Sequence, residues 1–208
     1  MPGRRLDLIV LVADLDMENA VRGILKRTRS IGIRHVEADI LRHPWRDSGC
    51  CTDGVSFLAP FVNQFDHALL LFDREGCGRE ICSTEELEDE IGRNLAEAGW
   101  GERGAVVILD PELENWVWSD SPHVDEELGW KEHQPPLRPW LIQKDFLQTQ
   151  NSKPFRPKEA VEAALREVRK PRSPSLYSDL AEKVSLLRCS DRSFIKLKTT
   201  LQQWFKEE

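Results

Sequence analysis

Residues 67–73 read His67-Ala68-Leu69-Leu70-Leu71-Phe72-Asp73, an apolar run that ends in a carboxylate. A run of this length without polar alternation is typical of a strand that is buried on both faces of a parallel sheet. Similar runs occupy residues 6–13 and 105–109, and amphipathic helical patterns lie between them. Strands that alternate with helices form right-handed βαβ units. The sequence therefore predicts an α/β fold with an open, mainly parallel sheet flanked by helices.

The segments between these strands carry the signals that delimit helices. Ser83-Thr84-Glu85-Glu86 predicts a capping box, and Gly99 is placed to end the helix that follows it. A second, shorter strand is expected over residues 33–40. A loop should follow from Arg42 to Asp53, and then a short amphipathic helix over residues 55–62.

The chain is predicted to divide into an α/β core, residues 1–130, and a linker with C-terminal helices packed on that core, residues 131–208. Five prolines between residues 131 and 157 favour a long connection with one short element in it. Helical periodicity then returns at about residues 157–169, 176–188 and 191–205.

Composition points to an ordinary globular protein of the cytoplasm. Hydrophobic residues make up 40% of the chain, and no apolar run approaches the roughly 20 residues that cross a bilayer. No signal peptide is expected, because the apolar region near the N-terminus is short and interrupted by Asp7. Five cysteines without a CxxC pattern predict reduced thiols.

The net charge of −7 is unevenly divided along the chain. Residues 1–150 carry 16 Lys and Arg against 28 Asp and Glu, whereas residues 151–208 carry 13 against 8. An acidic body does not attract nucleic acid by long-range electrostatics. The basic C-terminal part, with Lys196 and Lys198, is a candidate nucleic-acid contact, although a solvated helical face is the favoured explanation.

Carboxylates follow three of the predicted strands. They are Asp14, Asp16 and Glu18 after the first strand, Asp73 and Glu75 after the third, and Asp110, Glu112 and Glu114 after the fourth. Any one of them is most simply a helix cap, and Asp16 is placed to cap the first helix. Together, however, they lie where open α/β sheets bind ligands. Crowded carboxylates repel unless a cation neutralises them, and Mg²⁺ or Mn²⁺ suits an all-oxygen group.

Two of these elements resemble the Toprim fold of topoisomerases, primases and several nucleases. That fold carries Glu-Gly-x-x-(Asp/Glu) after its first strand and Asp-x-Asp after a central strand. Asp14-Leu15-Asp16-Met17-Glu18 and Asp73-Arg74-Glu75 stand in those places. Prokaryotic Toprim-like proteins related to RloB share an Asp-Arg-(Asp/Glu) motif after the strand, which Asp73-Arg74-Glu75 resembles, and a Glu-x-Trp motif with a nearby Asp, which Glu114-Asn115-Trp116-Val117-Trp118-Ser119-Asp120 resembles. The segment Cys189-Ser190-Asp191-Arg192-Ser193-Phe194 also looks similar to their C-terminal pattern.

The chain also departs from the Toprim pattern. Asp14 replaces the usual glutamate, Leu15 the glycine, and Glu75 the second aspartate. Each change of acid moves the carboxylate by about 1.5 Å, one carbon–carbon bond, against the near-octahedral geometry that Mg²⁺ requires. These changes favour metal binding over efficient catalysis.

The resemblance implies a component of a prokaryotic antiphage defence system, including methylation-associated systems, with other defence proteins as partners. It implies Mg²⁺- or Mn²⁺-dependent phosphodiester cleavage or phosphoryl transfer on nucleic acid. The metal ligands would be Asp14, Asp73 and Glu75, with Glu18 and Glu114 completing the catalytic set. The alternative is a catalytically degenerate subunit that binds partner proteins through its Trp-rich, basic C-terminal part. A third hypothesis is a binder of small nucleotides at the edge of the sheet.

Two further groups of residues have a structural and a functional interpretation. His43 lies near Cys50 and Cys51, but a metal site there lacks a fourth ligand at a suitable spacing. Five tryptophans lie in the later half of the chain: Trp116, Trp118, Trp130, Trp140 and Trp204. They would either build a binding surface or fasten the C-terminal helices to the sheet, and the second role is favoured.

Overall fold

A computed structural model describes residues 5–119, 121–184 and 189–207. Within them, parallel strands form one sheet in the order β2-β1-β3-β4. The strands are β1 (Leu6–Val12), β2 (Ala38–Arg42), β3 (Phe65–Asp73) and β4 (Gly104–Leu109). The predicted α/β fold with an open parallel sheet is confirmed.

Helices cover both faces of this sheet. In chain order they are α1 (Leu15–Lys26), α2 (Arg46–Leu58), α3 (Thr84–Leu95), α4 (Glu114–Val117), α5 (Pro122–Glu127), α6 (Leu137–Gln143), α7 (Pro157–Glu167), α8 (Ser175–Lys183) and α9 (Arg192–Trp204). Helices α2 and α3 pack beside each other against β1, β3 and β4, whereas α1 packs against α8. Helix α1 connects β1 to β2 toward one edge of the sheet, whereas α2 and α3 connect β2 to β3 and β3 to β4 toward the other edge. Right-handed crossovers therefore place α1 on the face opposite α2 and α3.

The core lies around the two central strands. Residues 8–12 of β1 and 68–72 of β3 are at most 1% exposed, because helices shield both faces of these strands. Full burial of one Leu, Ile or Val side chain stabilises a fold by roughly 1.5–3 kcal/mol. The unbroken apolar runs in the sequence therefore reflect two-sided burial, as predicted.

Strand register brings the ends of β1 and β3 to the same level. Val12 pairs with Leu71, and Asp14 and Asp73 each lie two residues beyond this pair, at the same level of the sheet. The chain leaves these neighbouring strands in opposite directions, since β1 leads to β2 and β3 leads to β4. Such a switch in direction opens a crevice at the carboxyl edge of the sheet, which is where α/β proteins bind ligands.

The predicted loop from Arg42 to Asp53 is wrong over most of its length, because α2 begins at Arg46. The helix shows weak apolar periodicity and contains two buried glycines, which hide it in the sequence. A Cβ on Gly49 would lie 2.0 Å from Nδ1 of His43, and one on Gly54 would lie 2.9 Å from the Leu70 side chain. The glycines therefore allow α2 to approach the sheet closely, a requirement that only tertiary contact reveals.

Two other boundaries differ from those expected. The second strand is Ala38–Arg42 rather than residues 33–40, because Ile33 pairs with Lys206 near the C-terminus instead of with the sheet. The cap of α1 is Asp14, whose Oδ1 accepts the Met17 N–H at 3.0 Å, and not Asp16. The capping box of α3, between Ser83 and Glu86, is confirmed.

The C-terminal helices pack on the core, and buried tryptophans fasten them. Trp118 Nε1 donates to the Pro157 carbonyl at 3.0 Å, and Trp130 Nε1 donates to the Ala164 carbonyl at 3.3 Å. The helix expected over residues 176–188 spans Ser175–Lys183, and residues 185–188 lie outside the described part of the chain. No helix among the described residues has both the length and the apolar character needed to cross a membrane.

Candidate acidic site at the carboxyl edge of the sheet

Asp73 is the centre of a group of carboxylates at the end of β3. Its Oδ1 is buried and has no hydrogen-bond partner among the described residues. The backbone N–H of Asp73 donates to Oδ1 of Asp47, in the first turn of α2, at 2.8 Å. Burial, and after it the charges of Asp47, Glu114, Asp14 and Glu112, raises the pKa of Asp73 well above its usual range.

Asp47 is a member of this group that the sequence analysis missed. It belongs to the segment predicted as a loop, and no motif marks it. Burial, and then the charge of Asp14, raises its pKa, although the hydrogen bond from Asp73 opposes the shift. The one available signal was the position of Asp47 in the first turn of the helix after β2. That signal is visible only if α2 is first recognised as a helix.

Glu112 adds another buried carboxyl to the group around Asp73. Its side chain is buried, and burial followed by the charge of Glu114 raises its pKa to about 7. The Lys158 N–H, at the start of α7, donates to Glu112 Oε1 at 2.8 Å and partly offsets this effect. The Lys158 ammonium lies 3.9 Å from the other oxygen of Glu112. The C-terminal part of the chain therefore supplies one cation to the acidic edge.

Arg172 supplies a second cation, and its contacts are closer. Its Nη2 donates to Asp16 Oδ2 at 2.7 Å and to Glu114 Oε1 at 2.9 Å, so it joins the segments that follow β1 and β4. The hydroxyl of Tyr177 donates to the same Glu114 oxygen at 2.5 Å. Glu114 is only 3% exposed, so these donors rather than water neutralise its charge.

Two predicted site residues share no side-chain hydrogen bond with this group as far as the structure describes the chain, although the charge of Glu75 contributes to the raised pKa of Glu112. Glu18 forms ion pairs with Arg22 at 2.8 Å and with Arg42 at 3.0 Å. Glu75 is exposed, and its side chain has no hydrogen bond or ion pair within the described part of the chain. Asp110 also lies apart, paired with Arg74 at 3.3 Å and with the Thr84 hydroxyl at 3.1 Å.

The acidic edge, defined here as Asp14, Asp16, Asp47, Asp73, Glu112 and Glu114, does not present a ready metal site. No three His, Cys, Asp or Glu side chains within residues 5–119, 121–184 and 189–207 are arranged to hold a metal ion. Asp14 uses one oxygen to cap α1, and Arg172 occupies Asp16 and Glu114. The residues therefore do not fit Mg²⁺ or Mn²⁺ in this arrangement. Asp73 Oδ1, in contrast, has no hydrogen-bond partner among the described residues.

The remaining candidates have structural roles. Trp45 N donates to His43 Nδ1 at 3.2 Å, and burial lowers the pKa of this histidine and raises that of the Cys50 thiol. Lys196 pairs with Glu88 at 2.9 Å. Asp120, the last residue of the predicted Glu114–Asp120 element, lies outside the described residues.

Three of the five tryptophans in the later half of the chain are buried, and Trp116 and Trp204 are partly exposed. Trp118, Trp130 and Trp140 are at most 7% exposed. Trp116 is half-buried and donates to the Ser193 hydroxyl at 2.8 Å. The most exposed tryptophan, Trp45 at 70%, lies instead in the connection between β2 and α2.

Together, the fold and the site define an α/β protein with crowded carboxylates at the switch point of its parallel sheet, the acidic edge. No family model, curated protein or solved structure matches the chain.

Proposed function

We propose that this chain is a Toprim-like component of a prokaryotic antiphage defence system. Its acidic edge would bind a divalent cation and promote phosphodiester cleavage or phosphoryl transfer on nucleic acid. The observation that carries the proposal is Asp73 Oδ1, a buried oxygen that has no hydrogen-bond partner among the described residues and lies near four other carboxylates.

The physical argument concerns charge balance. The acidic edge contains six carboxylates, and the nearby cations are Arg172 and Lys158. Carboxylates that are buried together must take up protons or a cation, because their mutual repulsion and lost hydration disfavour the charged state. Burial and the neighbouring carboxylates raise the pKa of Asp73 and of Glu112, so the protonated form of each carboxyl is favoured more than it is in water. For a divalent cation to replace these protons, Arg172 would have to release Asp16 and Glu114, whose oxygens it engages.

The defence role rests on the resemblance of two elements to RloB-related proteins. Asp73-Arg74-Glu75 follows β3, and Glu114-Asn115-Trp116 begins the short helix after β4. Asp73 and Glu114 belong to the same acidic edge, which supports a common role for the two elements. Other defence-system proteins are the proposed partners, and the proposed location is the cytoplasm.

The test is the melting temperature with and without Mg²⁺ or Mn²⁺, for the wild type, Asp73→Asn and Asp110→Asn. Metal should stabilise the wild type, and Asp73→Asn should abolish that response while raising the melting temperature of the metal-free protein. Asp110→Asn is the matched control, because Asp110 lies at the same sheet edge but is half exposed and paired with Arg74. A metal response that survives in Asp73→Asn contradicts the proposed site.

A second function is favoured by one observation: Arg172 already neutralises Asp16 and Glu114. Carboxylates that an arginine of the same chain already neutralises are less available to a metal ion. This arrangement therefore favours a catalytically degenerate subunit that binds partner proteins. In that case Mg²⁺ or Mn²⁺ supports no cleavage of DNA or RNA. Asp73→Asn then associates with the partner proteins as the wild type does.

A further inference from the structure

Two thiols meet where α2 packs against the turn that follows β3. Cys51 lies in α2 and Cys77 in the turn, and the Cys77 side chain is a hydrogen-bond partner of the Cys51 thiol. Both side chains are buried, at 7% and 1% exposed. We propose that Cys51 and Cys77 form a redox-active dithiol, which a hydroperoxide converts into a disulfide. This modification site lies outside the acidic edge and is independent of the proposed function.

The packing of α2 against β3 brings the two thiols together. Cys51 follows Asp47 by four residues, about one turn of α2, so both side chains lie on the same face of the helix. Cys77 likewise follows Asp73 by four residues. The hydrogen bond from the Asp73 N–H to Asp47 fixes α2 beside the end of β3. The thiol contact therefore depends on the same junction, one helical turn further along.

The turn after β3 holds the Cys77 side chain inward. Gly76 and Gly78 flank it with φ of 84° and 81°, in the left-handed region that favours glycine. Their N–H groups both donate to Oε1 of Glu80 at 3.0 Å, which closes the turn. The Arg79 N–H donates to Cys77 Sγ at 3.4 Å. Cys77 is therefore held in place although the glycine on each side of it is exposed.

The thiol contact needs little rearrangement to become a covalent bond. A single buried cysteine is most simply a small apolar side chain. Two thiols from different elements that already contact each other have only a short gap to close, because the sulfurs of a disulfide lie about 2.05 Å apart. In a reducing cytoplasm, the proposed location, such a disulfide is transient, and the dithiol is the resting state.

The attacking thiol is that of Cys77. Burial, and after it the charge of Cys77, raises the pKa of Cys51 to about 11, so Cys51 keeps its proton at neutral pH. The thiolate of Cys77 attacks one oxygen of hydrogen peroxide, the O–O bond breaks, and a sulfenic acid and hydroxide form. The Cys51 sulfur then attacks the sulfenic sulfur, the S–O bond breaks, and water leaves with the Cys51 proton. The proton that Cys77 released converts the hydroxide to a second water, so the two sulfurs are oxidised and the peroxide is reduced by two electrons.

The test is a tryptic peptide map of the folded protein after treatment with hydrogen peroxide, with the remaining free thiols alkylated and no reductant added. Trypsin cleaves after Arg46, Arg74 and Arg79, so Cys77 falls in a different peptide from Cys51. The expected product is residues 47–74 joined to residues 75–79, two hydrogens lighter than the separate peptides. Dithiothreitol should return both peptides to their free-thiol form.

Neighbouring cysteines serve as matched controls. Cys51→Ala and Cys77→Ala should each abolish the joined peptide. Cys50→Ala, next to Cys51 in α2, and Cys82→Ala, at the end of the same turn, should leave it unchanged. Cys82 and Cys189 are more exposed than the two thiols of the pair. Oxidation that simply follows exposure would therefore modify Cys82 and Cys189 and leave the pair free.

The wild-type peptide map decides even where a variant does not fold. The dithiol is overturned if Cys51 and Cys77 remain free thiols while Cys82 or Cys189 is oxidised. It is also overturned if the peptide of residues 75–79 is joined to any peptide other than residues 47–74, or if Cys50→Ala abolishes the joined product. A disulfide that joins Cys51 to Cys77 and is reversed by dithiothreitol supports it.

Discussion

The carboxylate of Asp47 accepts the backbone N–H of Asp73, with Oδ1 2.8 Å from the nitrogen. Because Asp47 lies in the first turn of α2 and Asp73 ends β3, this bond joins a helix to the sheet at the acidic edge. It also brings two negative charges together, and burial adds to the cost of keeping both ionised. Asp47 therefore stabilises the fold as a hydrogen-bond acceptor and destabilises it as a negative charge beside Asp73.

Two substitutions at Asp47 should separate these effects. Asp47→Asn keeps an acceptor for the Asp73 N–H and removes the charge, so it should raise the free energy of unfolding at pH 7.5. Asp47→Ala leaves a buried donor unpaired, which costs about 1–3 kcal/mol, so it should be less stable than Asp47→Asn by about that amount. Urea unfolding measures both. Equal stabilities for the two variants would show that the hydrogen bond contributes nothing.

Glu112 should make stability depend on pH in the range from about 4.5 to about 7. Its pKa is raised in the folded protein, to about 7 from an ordinary 4.5, so the native state holds its proton more tightly than the unfolded state does. Stability from this group is present below pH 4.5 and is lost as pH rises toward 7. Glu112→Gln should remove that loss, and a gain of about 1–2 kcal/mol at pH 8 is expected after allowance for solvent screening.

The measurement for Glu112 is urea unfolding of both proteins at pH 5 and pH 8. The difference between Glu112→Gln and the wild type should be larger at pH 8. A difference of the same size at both pH values would mean that the carboxyl of Glu112 titrates normally.

Gly49 should not tolerate a methyl group. A Cβ there would lie 2.0 Å from Nδ1 of His43, so Gly49→Ala should destabilise the protein by about 1–3 kcal/mol. Gly92→Ala is the matched control in the interior of α3, where a Cβ meets nothing within 4 Å. That change should stabilise by roughly 0.5–1 kcal/mol, since alanine favours helices. In thermal unfolding, the melting temperature should fall for Gly49→Ala and rise for Gly92→Ala.

The tryptophans should divide into one surface residue and several structural ones. Trp118→Phe removes the hydrogen bond to the Pro157 carbonyl in a buried position, so a loss of about 1–2 kcal/mol is expected. Trp45→Phe changes a side chain that is 70% exposed and should alter stability by less than about 0.5 kcal/mol. Comparable losses in urea unfolding would mean that Trp45 also packs against the core.

Much of the fold was predictable because its signals are local. The apolar runs of β1, β3 and β4 follow from two-sided burial, and the capping box of α3 lies within four consecutive residues. The position of carboxylates after strands also follows from the sequence, since parallel strands end at one edge. Asp14, Asp73 and Glu114 accordingly meet at the acidic edge.

Tertiary structure decided the features that depend on distant partners. Helix α2 has little apolar periodicity, and its place depends on glycines that fit against His43 and Leu70. Arg172 meets Asp16 across 156 residues and Glu114 across 58, and such a pairing leaves no local pattern. The sequence by itself therefore determined which strands form the core and where acids follow them. Only the folded chain decided which charges meet, because ion pairs depend on distance in space rather than along the chain.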